Sequence, residues 1–333
     1  MITKPYLIFV GDMPMSPYAK TALGVVEWAR DDCVGQWRLS TSAMDLGLPD
    51  FNPLEAHAAG ARSLLIGATP IGGKIPEKWV PFLVQALEAG LDIVNGLHTR
   101  LSSLPAIRAV AARLGRTLHD VRHSDVDFPI ATGKKRSGKR LLTVGTDCAL
   151  GKKYTALAIT KAMRSLGIGA DFRATGQTGI MIAGSGIAID AVVADFIAGA
   201  AETLSPDAPV DHWDVIEGQG AIFHPGYAGV TLGLLHGSQP DALVLCHDPS
   251  RDHISGFDGF PIRPLKETME MYETLARVTN PAAQFVAISL NTSSMNDADA
   301  RSLAESHANK YGLPCFDPLR FGVEEAVARI VAP

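Results

Sequence analysis

Apolar residues along this 333-residue chain fall in short continuous runs, separated by stretches with helical spacing. Residues 6–10 (YLIFV) form the first run and stop at Gly11-Asp12, the pattern of a buried strand with a loop at its carboxyl end. Residues 21–29 follow with helical spacing of Leu23, Val26 and Trp28 or Ala29. Residues 63–66 predict the next strand, which opens into Gly67-Ala68-Thr69-Pro70-Ile71-Gly72-Gly73. A helix is predicted over 79–89, closed by Gly90, then a strand over 91–95 ended by Gly96. A helix over 103–114 and a short strand over 118–121 complete this half. The alternation predicts a Rossmann-like, doubly wound parallel sheet over residues 1–130. No G-x-G-x-x-G follows the first strand, so a dinucleotide site of the usual kind is not expected, and the 67–73 loop either merely turns the chain, the preferred reading, or holds an anion.

The same alternation resumes over residues 131–333 and predicts a three-layer α/β domain of the P-loop type. Strands are predicted at 141–144, 169–173, 212–217, 242–246 and 284–290. The 169–173 strand feeds a second Gly/Thr-rich loop, Thr175-Gly176-Gln177-Thr178-Gly179, and 212–217 feeds Gly218-Gln219-Gly220. Helices are predicted after Lys152, over 187–203 with a break near Asp190 or Gly199, and over 227–235, 264–278, 297–311 and 323–331. In such sheets ligands lie at the carboxyl ends of the strands, where these loops gather. Between the halves, the basic stretch from Gly133 to Arg140 reads as a solvated linker, with a phosphate-binding patch as the alternative.

The bulk numbers narrow the class. A net charge of −5 gives no electrostatic case for nucleic acid or an anionic membrane. No apolar run approaches the ~20 residues of a membrane helix, and no basic-then-apolar leader opens the chain. Cys33, Cys148, Cys246 and Cys315 are scattered without metal-ligand spacing, so no metal site is expected and a reducing, cytoplasmic setting is. Two α/β domains meeting at a cleft commonly self-associate, so a homo-oligomer is expected.

The strongest motif stands where the 141–144 run meets its helix. Gly145-Thr146-Asp147-Cys148-Ala149-Leu150-Gly151-Lys152 fits G-x-x-x-x-G-K, the phosphate-cradling P-loop. Its glycines let backbone N–H groups converge on an anion, the helix start adds its positive dipole end, and Lys152 supplies a point charge. Mg-ATP and Mg-GTP sites carry a Ser or Thr next, whose hydroxyl holds Mg²⁺; here that position is Lys153. Thr155 lies ~200° further round the helix and cannot take its place. Gly145, Thr146, Cys148, Ala149, Leu150, Gly151, Lys152, Lys153 and Tyr154 thus form a predicted phosphate grip that lacks the usual magnesium handle.

Other residues offer chemistry around that grip. Asp147 either faces a cation or substrate, or folds back as an Asx-turn. Asp214-Val215-Ile216-Glu217-Gly218-Gln219-Gly220 resembles a Walker-B strand, which makes Glu217 a candidate general base or Mg²⁺ ligand, or a cap of the next loop. Thr175, Gln177, Thr178 and Gln219 stand where substrate-side hydrogen-bonding groups belong, or form polar turns. Arg173 either clamps a substrate carboxylate or makes a surface ion pair. His224, His236 and His247 are candidates for a base near neutral pH, with His224 first among them. Asn291-Thr292 ends a strand where P-loop folds often face a base ring, or is a plain cap. No G-x-S-x-G elbow supports a Ser-His-Asp triad.

Two families carry similar residues. The P-loop, taken with Val215-Ile216-Glu217-Gly218-Gln219-Gly220, is similar to that of dethiobiotin synthetase and related ATP-dependent carboxylases and ligases. The closer resemblance, over essentially the whole chain, is to the DUF1611 family, with a Rossmann-like N-terminal domain, a P-loop C-terminal domain and the GTDCALGKK and EGQG loops in these places. It implies an N-acetyltransferase that moves acetyl from acetyl-CoA to the amino group of D-glutamate or a similar D-amino acid. It also implies CoA phosphates on the P-loop, Glu217, His224 or Asp147 in proton transfer, and Arg173 or the Thr175–Thr178 stretch on the substrate carboxylates. A Mg-ATP-dependent ligase or carboxylase is the alternative, and a non-enzymatic sensor of nucleotide or CoA a third reading. Lys153 departs from the ligase pattern, whereas the phosphates of CoA need no bound magnesium.

Overall fold

The buried apolar runs become the strands of two parallel sheets in a computed structural model, which describes residues 1–14, 18–123 and 126–332. The chain divides into two units, Met1–Asp125 with Gly176–Ala191, and Val126–Thr175 with Val192–Pro333. Among the described residues no helix is long and apolar enough to cross a membrane.

In the first unit β1 (Tyr6–Gly11), β2 (Cys33–Arg38), β3 (Ser63–Ile66), β4 (Asp92–Asn95) and β5 (Leu118–Asp120) pair in parallel, in the order β2-β1-β3-β4-β5. Helices α1 (Lys20–Trp28), α2 (Pro53–Ala58), α3 (Val80–Glu88) and α4 (Pro105–Leu114) alternate with them. β1 is buried throughout, as a continuous apolar run inside a parallel sheet requires. Phe9 meets the rings of Trp37 and Trp79 edge-on, at 5.3 and 5.1 Å. β2 and α2 were not evident from periodicity. β2 carries a buried Gln36, whose amide is answered by Asp45 and the Leu48 carbonyl, and α2 is nucleated by an Asn52/Glu55 capping box.

The predicted loop at 175–179 is shorter than expected, because α6 (Gln177–Ala183) begins inside it. This helix belongs with the first unit: Tyr6 Oη donates to Met181 O (2.9 Å), and Ile2 N to Gly184 O (2.8 Å). The helix predicted over 187–203 is also corrected. Single 3₁₀ turns occupy Ile189–Ala191 and Ala194–Phe196, and only α7 (Ile197–Leu204) is α-helical. Gly199 lies inside α7 rather than breaking it; a Cβ there would stand 1.8 Å from Pro129 O.

In the second unit β6 (Lys139–Gly145), β7 (Ala170–Arg173), β8 (Trp213–Ile216), β9 (Ala242–His247), β12 (Gln284–Leu290) and β13 (Cys315–Phe316) form a parallel sheet ordered β13-β12-β9-β6-β8-β7. Helices α5 (Lys152–Ser165), α7, α8 (Ala228–Ser238), α9 (Leu265–Ala276), α10 (Asp297–Tyr311) and α11 (Glu324–Val331) complete it. An antiparallel hairpin, β10 (His253–Ile254) and β11 (Phe257–Pro261), stands apart from the sheet. From β6 the chain builds β7 and β8 on one side and then β9 on the other. That makes the β6 carboxyl end a topological switch point, with the loops after β8 and β9 beside it.

The basic stretch at the start of β6 is solvated only in part: Gly133, Lys134, Lys135, Ser137 and Lys139 are exposed, while Arg136 and Arg140 turn inward. Arg136 donates to the carbonyls of Ser205 and Gly237, and Lys135 pairs with Asp241. Arg140 is 1% exposed and donates to Ser205 Oγ and to the carbonyls of Arg136, Ser137 and Pro206. Guanidinium groups carry five N–H donors, and here they satisfy backbone carbonyls at the amino end of the sheet.

Candidate functional site

The loop between β6 and α5 is shaped by its backbone. Gly151 takes φ 102° just before the helix, and Ala149 takes φ 53°, a left-handed conformation uncommon outside glycine. The buried Tyr272 phenol donates to Gly145 O (2.9 Å) and accepts from Ile222 N (2.9 Å), which ties the start of this loop to the loop after β8. Lys152 opens α5, is buried, and donates from Nζ to Asp147 O at 2.7 Å. Burial pushes its pKa down. Lys153 is half-buried, with Nζ 4.5 Å from the Tyr154 ring centroid. Thr155 Oγ1 donates to Gly151 O (3.1 Å) and shares a hydrogen bond with Ser289 Oγ (2.8 Å), so its hydroxyl is spent in the core. Thr146 Oγ1 and His247 Nδ1 are 3.0 Å apart, and burial, then the His307 charge, brings the His247 pKa down to about 4.

Asp147 is fully buried, and its carboxylate is directed at the protein. Oδ1 accepts from Cys148 N (2.6 Å), and Oδ2 accepts from Arg251 Nη1 (2.7 Å) and Ser255 N (2.9 Å). Arg251 also donates to the carbonyls of Cys148 (2.8 Å) and Ala149 (3.1 Å). The carboxylate therefore braces the loop against the chain that follows β9, a role wider than a local Asx-turn. His224 is 2% exposed; its Nδ1 accepts from Gly226 N (3.0 Å), and its Nε2 lies 3.9 Å from Asp147 Oδ1. A neutral ring bonded in this way carries its proton on Nε2. Burial lowers the His224 pKa, with Asp147 opposing the shift. Asp147, Cys148 and His224 place ligand-type atoms within 4.8 Å of one another. A metal ligand needs an unprotonated ring nitrogen, and here one is engaged by Gly226 and the other protonated, so the set does not fit a cation.

Glu217 follows β8 and is 5% exposed. Its Oε2 accepts from Thr175 N (3.0 Å), and its carbonyl accepts from Thr175 Oγ1 (2.6 Å). Gln219 Nε2 donates to the same Thr175 hydroxyl at 3.2 Å. Gly218 N donates to Thr143 Oγ1 (2.9 Å), and a Cβ at 218 would stand 1.7 Å from Thr143 O and 3.1 Å from Lys152 Cδ. The glycine lets the Glu217 loop lie directly on β6 and the loop lysine.

The second unit thus brings Gly145 to Tyr154, Asp147, Thr175, Glu217, Gln219 and His224 to the carboxyl ends of β6, β7 and β8 and the loops that follow them. Arg173 is directed elsewhere, with Nε donating to Asp214 Oδ1 (2.8 Å). Gln177 and Thr178 start α6 in the first unit, where the Gln177 carboxamide lies between Gly96 O and the Arg122 guanidinium. His236 Nε2 is 3.2 Å from Leu275 O. Thr292 donates to Asp317, which is capping chemistry. Arg251, Ser255 and Tyr272 were missed by sequence reasoning. For Arg251 the available signal was its place just after the β9 strand.

Residues 129–327 match the DUF1611 C-terminal P-loop domain, described as a domain of unknown function, and residues 32–124 match the Rossmann-like DUF1611 N-terminal domain. The chain is 48% identical over 332 residues to a protein of Tritonibacter scottomollicae named D-glutamate N-acetyltransferase, covering 100% of each. It is 45% identical over 329 residues to a protein of the same name from Pseudoalteromonas sp., covering 99% of each. The crystal structure of a DUF1611 family protein from Anabaena variabilis aligns with TM-score 0.86 at 33% identity, covering 98% of this chain and 99% of that one.

Proposed function

This chain belongs to the DUF1611 family, and on that premise we propose that it transfers the acetyl group of acetyl-CoA to the amino group of D-glutamate or a similar D-amino acid. The observation that carries this reading is the end-to-end identity, 48% and 45%, to two proteins named for that reaction. The loop chemistry supports it. A grip with Lys152 and Lys153, and with the Thr155 hydroxyl turned into the core, suits the phosphates of CoA better than a Mg-nucleotide.

In this reading, residues 145–154 hold the CoA phosphates by backbone N–H groups and the Lys152 charge. Glu217 accepts a proton from the substrate ammonium, and the freed amine attacks the thioester carbonyl. The C–S bond then breaks, and the CoA thiolate leaves to take up a proton. Glu217 is preferred over His224 as the base because both His224 nitrogens are engaged, Nδ1 by Gly226 N and Nε2 by its own proton. Asp147 contributes by holding Arg251 and Ser255 on the loop. Thr175, fully buried with its N–H and hydroxyl given to Glu217, holds that carboxylate in place, and Gln219 beside it orients the amino acid.

Incubating the protein with acetyl-CoA and a panel of D- and L-amino acids, while following free thiol, tests this. Thiol release with D-glutamate is expected. Its absence with every acidic D-amino acid overturns the reading, and magnesium-dependent ATP binding without CoA binding would point to a ligase instead.

A further inference from the structure

The hairpin β10–β11 has features that phosphate binding and proton transfer do not use. A two-stranded hairpin is marginal on its own, and this one is fixed from outside. Ile254 is buried at 2% exposure, Ser255 N in the turn donates to Asp147 Oδ2 (2.9 Å), and Arg251 just before the hairpin grips both Asp147 and the loop carbonyls. The element is thereby registered on the phosphate loop by a carboxylate inside that loop.

Every residue of β11 is exposed, and it presents aromatic rings. Phe257 is 38% exposed and Phe260 48%, with ring centroids 6.1 Å apart. Phe257 also meets the His224 ring at 5.1 Å, and His224 meets Tyr227, itself 53% exposed, at 4.5 Å. Single exposed hydrophobic side chains need no explanation, whereas contiguous rings anchored to a loop that grips phosphate form a ledge.

Resting on the acetyl-CoA reading, we infer that this ledge, built on Phe257 and Phe260, receives the adenine ring of the acyl donor. The occupant follows from the chemistry. Aromatic faces carry negative charge density and do not suit the carboxylates of an acidic amino acid. The acetyl group is too small to use several rings. Adenine is planar, has two faces for stacking, and is joined through a single ribose to the pyrophosphate that the loop would hold, while Ser255 places the hairpin turn one hydrogen bond from that loop.

The test compares acetyl-CoA with S-acetyl-4′-phosphopantetheine, which lacks the 3′-phosphoadenylyl portion (adenine, ribose and two of the three phosphates), in the wild type and in the Phe257→Ala/Phe260→Ala double variant. The double variant should raise KM for acetyl-CoA by about 10- to 100-fold, the scale of a lost base–aromatic stack, with little change in kcat. Its KM for the truncated donor should match the wild type, and Phe260→Trp should retain tight acetyl-CoA use. An unchanged acetyl-CoA KM, or an equal rise for both donors, overturns the inference. If the wild type turns over neither donor, the acetyltransferase reading fails. Calorimetric titration with adenosine 3′,5′-bisphosphate then still decides the ledge: binding that the double variant weakens supports it, and binding that is absent or unaltered by the double variant refutes it.

Discussion

The two ends of the second sheet both bury charge, and they do so in opposite ways. At the amino end, Arg140 is surrounded by carbonyl oxygens and Ser205 Oγ. Asp214 accepts from Arg173 Nε (2.8 Å) and Ser205 Oγ (2.6 Å), while Asp171 pairs with Arg164 (2.7 Å). Asp171, His212 and Asp214 could be taken for a metal trio, but the two arginines already neutralise its carboxylates. At the carboxyl end, Lys152 is buried against a backbone carbonyl, with no carboxylate in salt-bridge range among the described residues, and its pKa is pushed down. Charge that is answered on every side holds segments together. Charge that is buried and only partly compensated costs stability, and it is suited to an incoming anion.

The largest expected effect tests the amino end. Arg140→Met should cost about 3–5 kcal/mol of stability in a guanidinium titration, because it strands buried carbonyls and the Ser205–Asp214 pair, while activity per folded molecule persists. A loss below about 1 kcal/mol would mean that the saturated cluster is not what secures the 133–140 stretch. Lys152→Met should do the reverse. It should lower kcat/KM for acetyl-CoA by about 10²–10³ and leave the unfolding midpoint unchanged or higher, since an incompletely paired buried cation is removed. If it unfolds the protein as Arg140→Met does, the contrast between the ends fails.

A pH titration sharpens the same contrast. The folded-state pKa of His247 is about 4, against 6.5 when unfolded. A depressed histidine pKa means that above 6.5 the ring is neutral in both states and contributes nothing. As pH falls from 6.5 to 4 the unfolded chain takes up the proton first and stability drops, by up to ~3 kcal/mol in total. Urea midpoints at several pH values should show this fall in the wild type, and His247→Gln should flatten it. An identical acid profile in the variant would remove His247 from the account.

Legibility in the sequence followed range. The loop between β6 and α5 could be placed because its glycines, its lysine and its flanking strand and helix are contiguous, and the position of Glu217 because it ends a strand before Gly-Gln-Gly. Arg251 and Tyr272 could not, because they reach Asp147 and Gly145 from 104 and 127 residues away. For Arg173 the sequence left open a substrate clamp or an ion pair, and the pair with Asp214 is what forms. The basic stretch is less solvated than the sequence suggests. Composition describes a charge, and only packing reveals whether carbonyls or carboxylates already answer it. The start of α6 was obscured because QTGIMIA is too short to display a period.

The smallest expected effect falls between the two ends, on the strand that joins them. Thr143 is buried in β6; its hydroxyl accepts from Gly218 N (2.9 Å) and reaches Ile216 O at 3.4 Å. Thr143→Val keeps the shape and removes both bonds, leaving a buried N–H beside Glu217 at a cost of about 1–2 kcal/mol. If Glu217 is the base, loosening the next residue should also lower kcat, by roughly two- to tenfold, while KM for acetyl-CoA holds because the phosphate loop is untouched. Thr143→Ser should restore both quantities. A loss of stability with unchanged kcat would place Thr143 with the structural groups of the amino end and would move the proton acceptor away from Glu217.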